Sequence, residues 1–215
     1  MLKSFFLNLL FPLECLGCGR EKFWLCETCF RKLKFNGQTK DFNLRTPHLT
    51  KIFIAGDYDD PLLAALIKKF KYGFITDYGK ILARFLILFW SGQLWSIQTP
   101  PEMILIPLPL SGKRRRWRGF NQAEILAREL SAHFAYPLNQ ELKRAGHRPP
   151  QAGLSEEERR QNIQNVFVWT GTDLNGRDVI LLDDVVTTGA TLDEAAKVLK
   201  AVGAGKIYGL VLAKG

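Results

Sequence analysis

The chain has 215 residues, 47% of them hydrophobic and 24% charged, with a formal net charge of +9. That length and apolar content suit one α/β core with a small appendage and exclude a disordered or low-complexity polymer. The basic balance favours anionic partners without identifying one, and no run is long and apolar enough to read as an integral membrane segment.

Residues 1–12 are apolar overall, carry Lys3, and lack a small-residue cleavage site, so they read as a packing helix, with loose membrane contact as the alternative. All four cysteines follow within residues 15–29, as two Cys-x-x-Cys knuckles, Cys15/Cys18 and Cys26/Cys29, separated by seven residues. Gly17 and Gly19 suit the tight turn of the first knuckle. Four thiolates on two turns match tetrahedral Zn²⁺ coordination. Free or disulfide-bonded cysteines and an iron–sulfur centre are the alternatives. A four-sulfur site leaves no position for water, so its zinc would be structural. With so few residues around it, metal binding would supply the folding energy.

Residues 34–51 are polar and turn-rich and read as a linker. The expected division is a helix and zinc module over 1–45, then a larger domain over 51–215. In that domain Lys51 to Asp59 reads as a strand, and Pro61 to Lys71 as a helix with proline in its first turn. A second helix is expected from Thr76 to Trp90, then a loop over 91–101. Met103 to Leu110 starts as a buried strand that Pro107 and Pro109 stop. A basic loop is expected next: Lys113, Arg114, Arg115, Arg116, Trp117, Arg118, Gly119. Asn121 caps a helix whose apolar face is Ala123, Ile125, Leu126, Leu130 and Phe134. Residues 143–162 are long for a connector and read as a candidate lid, with Arg148, Gln151, Arg159, Arg160 and Asn162 able to close over a polyanion; a charged surface excursion is the alternative. Val166 to Thr170 reads as a strand, Asn175-Gly176 as a turn, and Leu192 to Ala201 and Ile207 to Ala213 as the last helix and strand. Strands alternating with helices predict a mostly parallel sheet.

The stretch Val179 to Leu192 carries the most chemistry. Four apolar residues run into Asp183 and Asp184, then Thr187, Thr188, Gly189, Ala190 and Thr191. The loop after a buried parallel strand is where open α/β sheets bind ligands. Gly189 lets the backbone approach closely, and the amides of Gly189, Ala190 and Thr191 would point, with the helix dipole, at an anion. The acids can accept hydrogen bonds from sugar hydroxyls or face a metal ion. An ordinary strand–turn–helix with polar loop residues is the alternative. The basic loop also follows a strand end and so can face the same edge; Arg118 and Gly119 suit a pyrophosphate, and Trp117 among Lys113, Arg114, Arg115 and Arg116 suits nucleic acid.

The Asp-Asp-x-x-Thr-Thr-Gly-x-Thr stretch resembles the PRPP-binding signature of type I phosphoribosyltransferases. With Ile-Pro-Leu-Pro-Leu, Arg-x-Arg-Gly-Phe-Asn-Gln-Ala, the Arg148 to Asn162 block and the four-cysteine cluster, the order resembles the ComF family, phosphoribosyltransferase-like proteins tied to competence and DNA uptake. The resemblance implies a type I phosphoribosyltransferase-like parallel sheet with flanking helices. It implies PRPP with Mg²⁺: Asp183 and Asp184 on the ribose hydroxyls, Thr187 to Thr191 on the 5′-phosphate, the loop after Leu110 on pyrophosphate, and 143–162 as the mobile loop. The expected activity is phosphoribosyl transfer to an unknown acceptor with pyrophosphate release. The alternative is a non-catalytic single-stranded-DNA-binding factor that uses the pocket as a sensor. DNA-uptake proteins are the further partners implied, and the location expected is cytoplasmic or peripheral at the inner membrane face. Some purine-salvage relatives place an aspartate where Thr187 stands, and a threonine is no general base at neutral pH.

Overall fold

Apolar runs bounded by turns become the parallel strands at the centre of this chain. The computed structural model describes residues 13–35, 39–40, 46–73, 75–94, 103–145 and 166–215. Strands β2 (Lys51–Asp57), β7 (Ile207–Lys214), β6 (Val179–Val186) and β3 (Ile104–Pro107) lie side by side and parallel in that order. A two-residue strand, β1 (Thr39–Lys40), adds antiparallel at the β2 edge. The register sets Ile54 beside Val211, Leu182 beside Leu210 and Leu181 beside Ile106.

Successive strand residues face opposite sides, so both faces must be covered. Phe53, Ala55, Leu105, Ile180, Leu182, Leu210 and Leu212 point to one face, under helices α2 (Pro61–Tyr72), α3 (Asp77–Gln93) and α5 (Gln122–Phe134). Ile52, Ile54, Ile104, Ile106, Leu181 and Val211 point to the other, under helix α6 (Ala190–Ala201). An antiparallel ribbon of β4 (Leu142–Arg144) and β5 (Phe167–Trp169) adds Leu142 and Phe167 to that second layer. The result is a mainly parallel sheet with helices on both faces.

Caps fix where helices begin. The Asp60 carboxylate accepts from the amides of Leu62 (2.9 Å) and Leu63 (3.0 Å), with Pro61 in the first turn. The Asn121 side-chain oxygen accepts from Ala123 N (3.1 Å), and its amide donates to the Leu108 carbonyl (3.0 Å), tying α5 to the end of β3.

Several expectations are corrected. The basic run after Ser111 is helix α4 (Gly112–Arg118), not a loop. The Ser111 hydroxyl accepts from Arg114 N at 3.3 Å, and Gly119 ends the helix at φ 76. Arginine and lysine are good helix formers, and a helix with most of its side chains in solvent has no apolar period to reveal it. The 34–51 linker contributes β1 and the buried Thr46 and Leu49. The strand expected at 166–170 forms, but it pairs with β4 outside the main sheet. Strand β6 runs on through both aspartates to Val186, and α6 starts at Ala190, two residues before Leu192. The candidate lid residues Arg148, Gln151, Arg159, Arg160 and Asn162 and the N-terminal helix lie outside the described residues. Among the described residues no helix is long and apolar enough to cross a membrane.

Candidate functional site

Because β3 and β6 are adjacent and parallel, their C-terminal ends open onto one edge of the sheet. At the end of β6, Gly189 adopts φ 82, a left-handed conformation. A Cβ there would lie 2.8 Å from Thr46 Cγ2 and 3.2 Å from Ile52 Cδ1, so both backbone and space require glycine. The turn lets α6 start at once. Its first intrahelical bond runs from Asp193 N to Gly189 O (2.9 Å), which leaves the amides of Ala190, Thr191 and Leu192 without intrahelical acceptors. The Ala190 amide faces the Thr188 hydroxyl at 3.4 Å. From the other side, the His48 amide donates to Asp193 Oδ1 (2.9 Å), and His48 Nδ1 lies 2.9 Å from Asp193 Oδ2, fastening the segment before β2 to the first turn of α6.

The two aspartates sit in the C-terminal half of β6, two residues before its end. Asp184 is 8% exposed and pairs with Lys71 Nζ at 2.8 Å. Lys71 is in the last turn of α2, over a hundred residues away in sequence, and sequence reading missed it. Asp183 accepts the Asp184 amide at 2.8 Å. Burial, and then the Asp184 carboxylate, push the Asp183 carboxyl up to about 7, against the pull of the Asp184 amide, Lys71 and Arg114. Hard carboxylate oxygens in this state suit Mg²⁺, whose charge would restore ionisation of Asp183.

Helix α4 delivers the cations to the same edge. Lys113, Arg114, Arg115, Arg116 and Trp117 are exposed, and Arg115 pairs with Glu124 at 3.0 Å. Arg118 turns inward: it is 8% exposed, donates through Nη1 to Gln122 Oε1 (3.0 Å), and stands 5.2 Å from the Tyr72 ring centroid. Arg118 Nε and Gln122 Nε2 are buried without a hydrogen-bond partner among the described residues. Two such donors beside a cationic helix suit the oxygens of an anion. Gln122 lay inside a noted motif but received no role from sequence. Arg144, on β4, also joins the group. Burial, and then Arg114, lower its guanidinium pKa, while Asp183 raises it; its guanidinium lies 5.4 Å from the Phe167 ring centroid. The structure sets Lys71 against Asp184, brings Arg114 and Arg144 within electrostatic reach of Asp183, and pairs Arg118 with Gln122 where α4 gives way to α5.

The cysteine cluster forms a second candidate centre. The Sγ atoms of Cys15, Cys18, Cys26 and Cys29 all lie within 4.8 Å of one another, and those of Cys18 and Cys26 are 3.7 Å apart. A tetrahedral zinc with Zn–S bonds of about 2.3 Å needs sulfurs about 3.8 Å apart, so the set fits. Helix α1 (Glu27–Phe30) carries the last ligand. Burial opposes ionisation of Cys15, but the amides of Cys26, Gly17 and Cys18 and the Cys18 thiol outweigh it and bring its pKa to about 6. Burial and the neighbouring sulfurs push Cys29 up to about 12. Without a cation the four cannot ionise together.

A family model for the phosphoribosyl transferase domain matches residues 118–215. Competence protein F of Haemophilus influenzae is 36% identical over 199 residues, covering 90% of this chain and 86% of that protein. The DNA utilization protein YhgH of Escherichia coli O157:H7 is 32% identical over 167 residues, covering 76% of this chain and 71% of that protein. Competence protein ComFC of Bacillus subtilis is 38% identical over 101 residues, covering 46% of this chain and 38% of that protein.

Proposed function

The chain belongs to the ComF family of competence-associated proteins, and from that premise we propose that it binds PRPP with Mg²⁺ where β6 meets α6 and acts in DNA uptake or utilization. One observation carries the reading: the left-handed Gly189 starts α6, with its first-turn amides free of intrahelical acceptors, five residues after Asp184 on the strand that bears both aspartates, within the stretch that matches a phosphoribosyl transferase domain. The amides of Ala190 and Thr191 and the hydroxyls of Thr187, Thr188 and Thr191 take the 5′-phosphate. Asp183 and Asp184 accept from the ribose hydroxyls. Arg118, Gln122, Arg114 and Arg144 hold the pyrophosphate through charge-assisted hydrogen bonds. Arg148, Gln151, Arg159, Arg160 and Asn162 remain the proposed lid.

The chemistry this pocket supports is displacement at ribose C1. A nucleophile's lone pair forms the new bond to C1 while the C1–O bond to pyrophosphate breaks, and pyrophosphate leaves with that electron pair. Mg²⁺ would neutralise charge on the leaving group. The cations named above stabilise the same charge from fixed positions. Thr187 offers no base, so the acceptor's proton must leave by another route. The process, DNA uptake or utilization, follows from the names of the relatives. A structural zinc at the four cysteines completes the reading.

Calorimetric titration with PRPP and Mg²⁺ tests it. Saturable binding is expected, and Asp184→Asn should abolish it together with Mg²⁺-dependent pyrophosphate release; binding unchanged in that variant would remove the pocket assignment. The exposed cations of α4 favour a second reading, a DNA-binding factor that senses PRPP without turnover. Tight PRPP binding with no pyrophosphate release, in the presence of single-stranded DNA, would select it.

A further inference from the structure

We propose that Tyr72 and Trp117 form the stacking face of a nucleobase subsite, which seats one base of a single-stranded nucleic acid whose phosphates run along α4. The proposal rests on the preceding reading only for what lies next to the subsite.

Tyr72, the last residue of α2, is 52% exposed, and Trp117, near the end of α4, is 55% exposed. Their ring centroids are 5.7 Å apart with planes at 56°, so the rings brace each other while each keeps area toward solvent. Large aromatic rings are normally buried, and two exposed side by side mark a surface that another group covers. Tyr72 has a further support from α4. The Arg118 guanidinium stands 5.2 Å from the Tyr72 centroid, and Arg118 is itself buried and bonded to Gln122.

The charges around the pair select the partner. Lys113 and Arg114 precede Trp117 by four and three residues on α4, which places them on its helical face. A protein partner with an acidic face could also cover the rings, but it would not give the preference for strand over duplex that the test below reads. A duplex would match the charge but offers no free base face. Exposed bases on a phosphate backbone match both features. The position also matters. Lys71, the residue before Tyr72 on α2, pairs with Asp184 at 2.8 Å, so the end of α2 carries both the exposed ring and a contact to the acidic pair.

The test is fluorescence anisotropy with a labelled oligodeoxythymidylate and a duplex of equal length. Trp117→Ala and Tyr72→Ala should each weaken strand binding by about tenfold while the salt slope stays the same. Trp117→Phe should keep most of the affinity. Lys113→Ala should flatten the slope instead. Phe23→Ala, an exposed ring on the cysteine side, should change neither. Wild-type binding of the duplex should be weaker and indifferent to Trp117→Ala. Strand binding by both alanine variants at wild-type strength, equal loss on strand and duplex, or no strand binding by the wild type overturns the proposal. If an alanine variant melts below wild type, ultraviolet crosslinking of a thiothymidine-bearing strand to the intact protein decides. An adduct on residues 72 or 117 supports the subsite, and adducts only elsewhere refute it. Intact strand binding with no heat on PRPP titration would instead sink the pocket reading alone.

Discussion

Asp183 and Asp184 are neighbours on one strand, yet their surroundings give them different tasks. Asp184 is held by Lys71 at 2.8 Å, with both side chains nearly buried. Removing one partner of such a pair strands the other charge. Lys71→Met should therefore cost roughly 3 kcal/mol in urea unfolding, and adding Asp184→Asn should recover part of the loss; equal and additive losses would show that the pair is not coupled. Asp183 titrates higher in the fold, at about 7 against an ordinary 3.8. A carboxyl whose folded pKa is raised contributes stability below its unfolded pKa and loses it as pH rises through the folded one. The ligand-free protein should thus lose stability from this group between about pH 4 and pH 7. Binding of Mg²⁺ and PRPP, which needs the ionised form, should strengthen over the upper part of that window. Titrations at about pH 6 and pH 8 on wild type and Asp183→Asn separate this from titration of the ligand's own phosphates, because only the wild type carries the extra gain. A pH dependence identical in both would clear Asp183 of the effect.

At the scale of elements, the junction of β6 and α6 depends on one backbone conformation. Gly189→Ala places a Cβ 2.8 Å from Thr46 Cγ2 at φ 82. The left-handed conformation alone costs about 1–2 kcal/mol for a residue with a Cβ, and the contact adds to it. Thermal melting should show a loss of at least that size, and PRPP affinity should fall with it as the first turn of α6 shifts. Wild-type affinity in a correctly folded variant would mean that the amides are not the anion site. This junction was legible in the sequence because an apolar run, two acids, a glycine and threonines sit within fifteen residues, where local physics acts. Helix α4 was not, because its caps, Ser111 and Gly119, flank a charge run with no apolar period. Lys71, Tyr72 and Arg144 were not either. Lys71 and Tyr72 end α2 and Arg144 lies on β4, far from β6 in sequence, and only the order β2–β7–β6–β3 and the ribbon of β4 and β5 bring them to the edge.

Over the whole molecule, the cysteine module is fastened to the sheet's helical layer. Phe30 and Leu33 are buried in the core with Phe85, Leu86 and Phe89 of α3. Phe35 stacks on Phe85 at 4.7 Å, Arg84 covers the Phe30 ring at 4.1 Å, and Trp24 meets Tyr78 edge-on at 5.2 Å. Glu27 binds Arg84 at 2.7 Å, and Arg84 and then Arg31 hold its carboxyl down to about 2, but the group is exposed and contributes little. The apolar contacts carry the docking, and they depend on the four sulfurs holding α1 in place. Burying Phe30 and Leu33 stabilises by about 1.5–3 kcal/mol each as an upper bound. Losing the metal should therefore lower the melting temperature of the entire chain by roughly 10 °C, not merely loosen one end. The measurement is a melt before and after chelation, with released zinc counted colorimetrically. One zinc per chain and a large, reversible drop are expected, and Cys29→Ser should behave like the chelated protein. A chelated chain that melts with the untreated one would mean that packing against α3 holds the module without metal. The sulfurs would then be bystanders to a fold built by Phe30, Leu33 and Phe35.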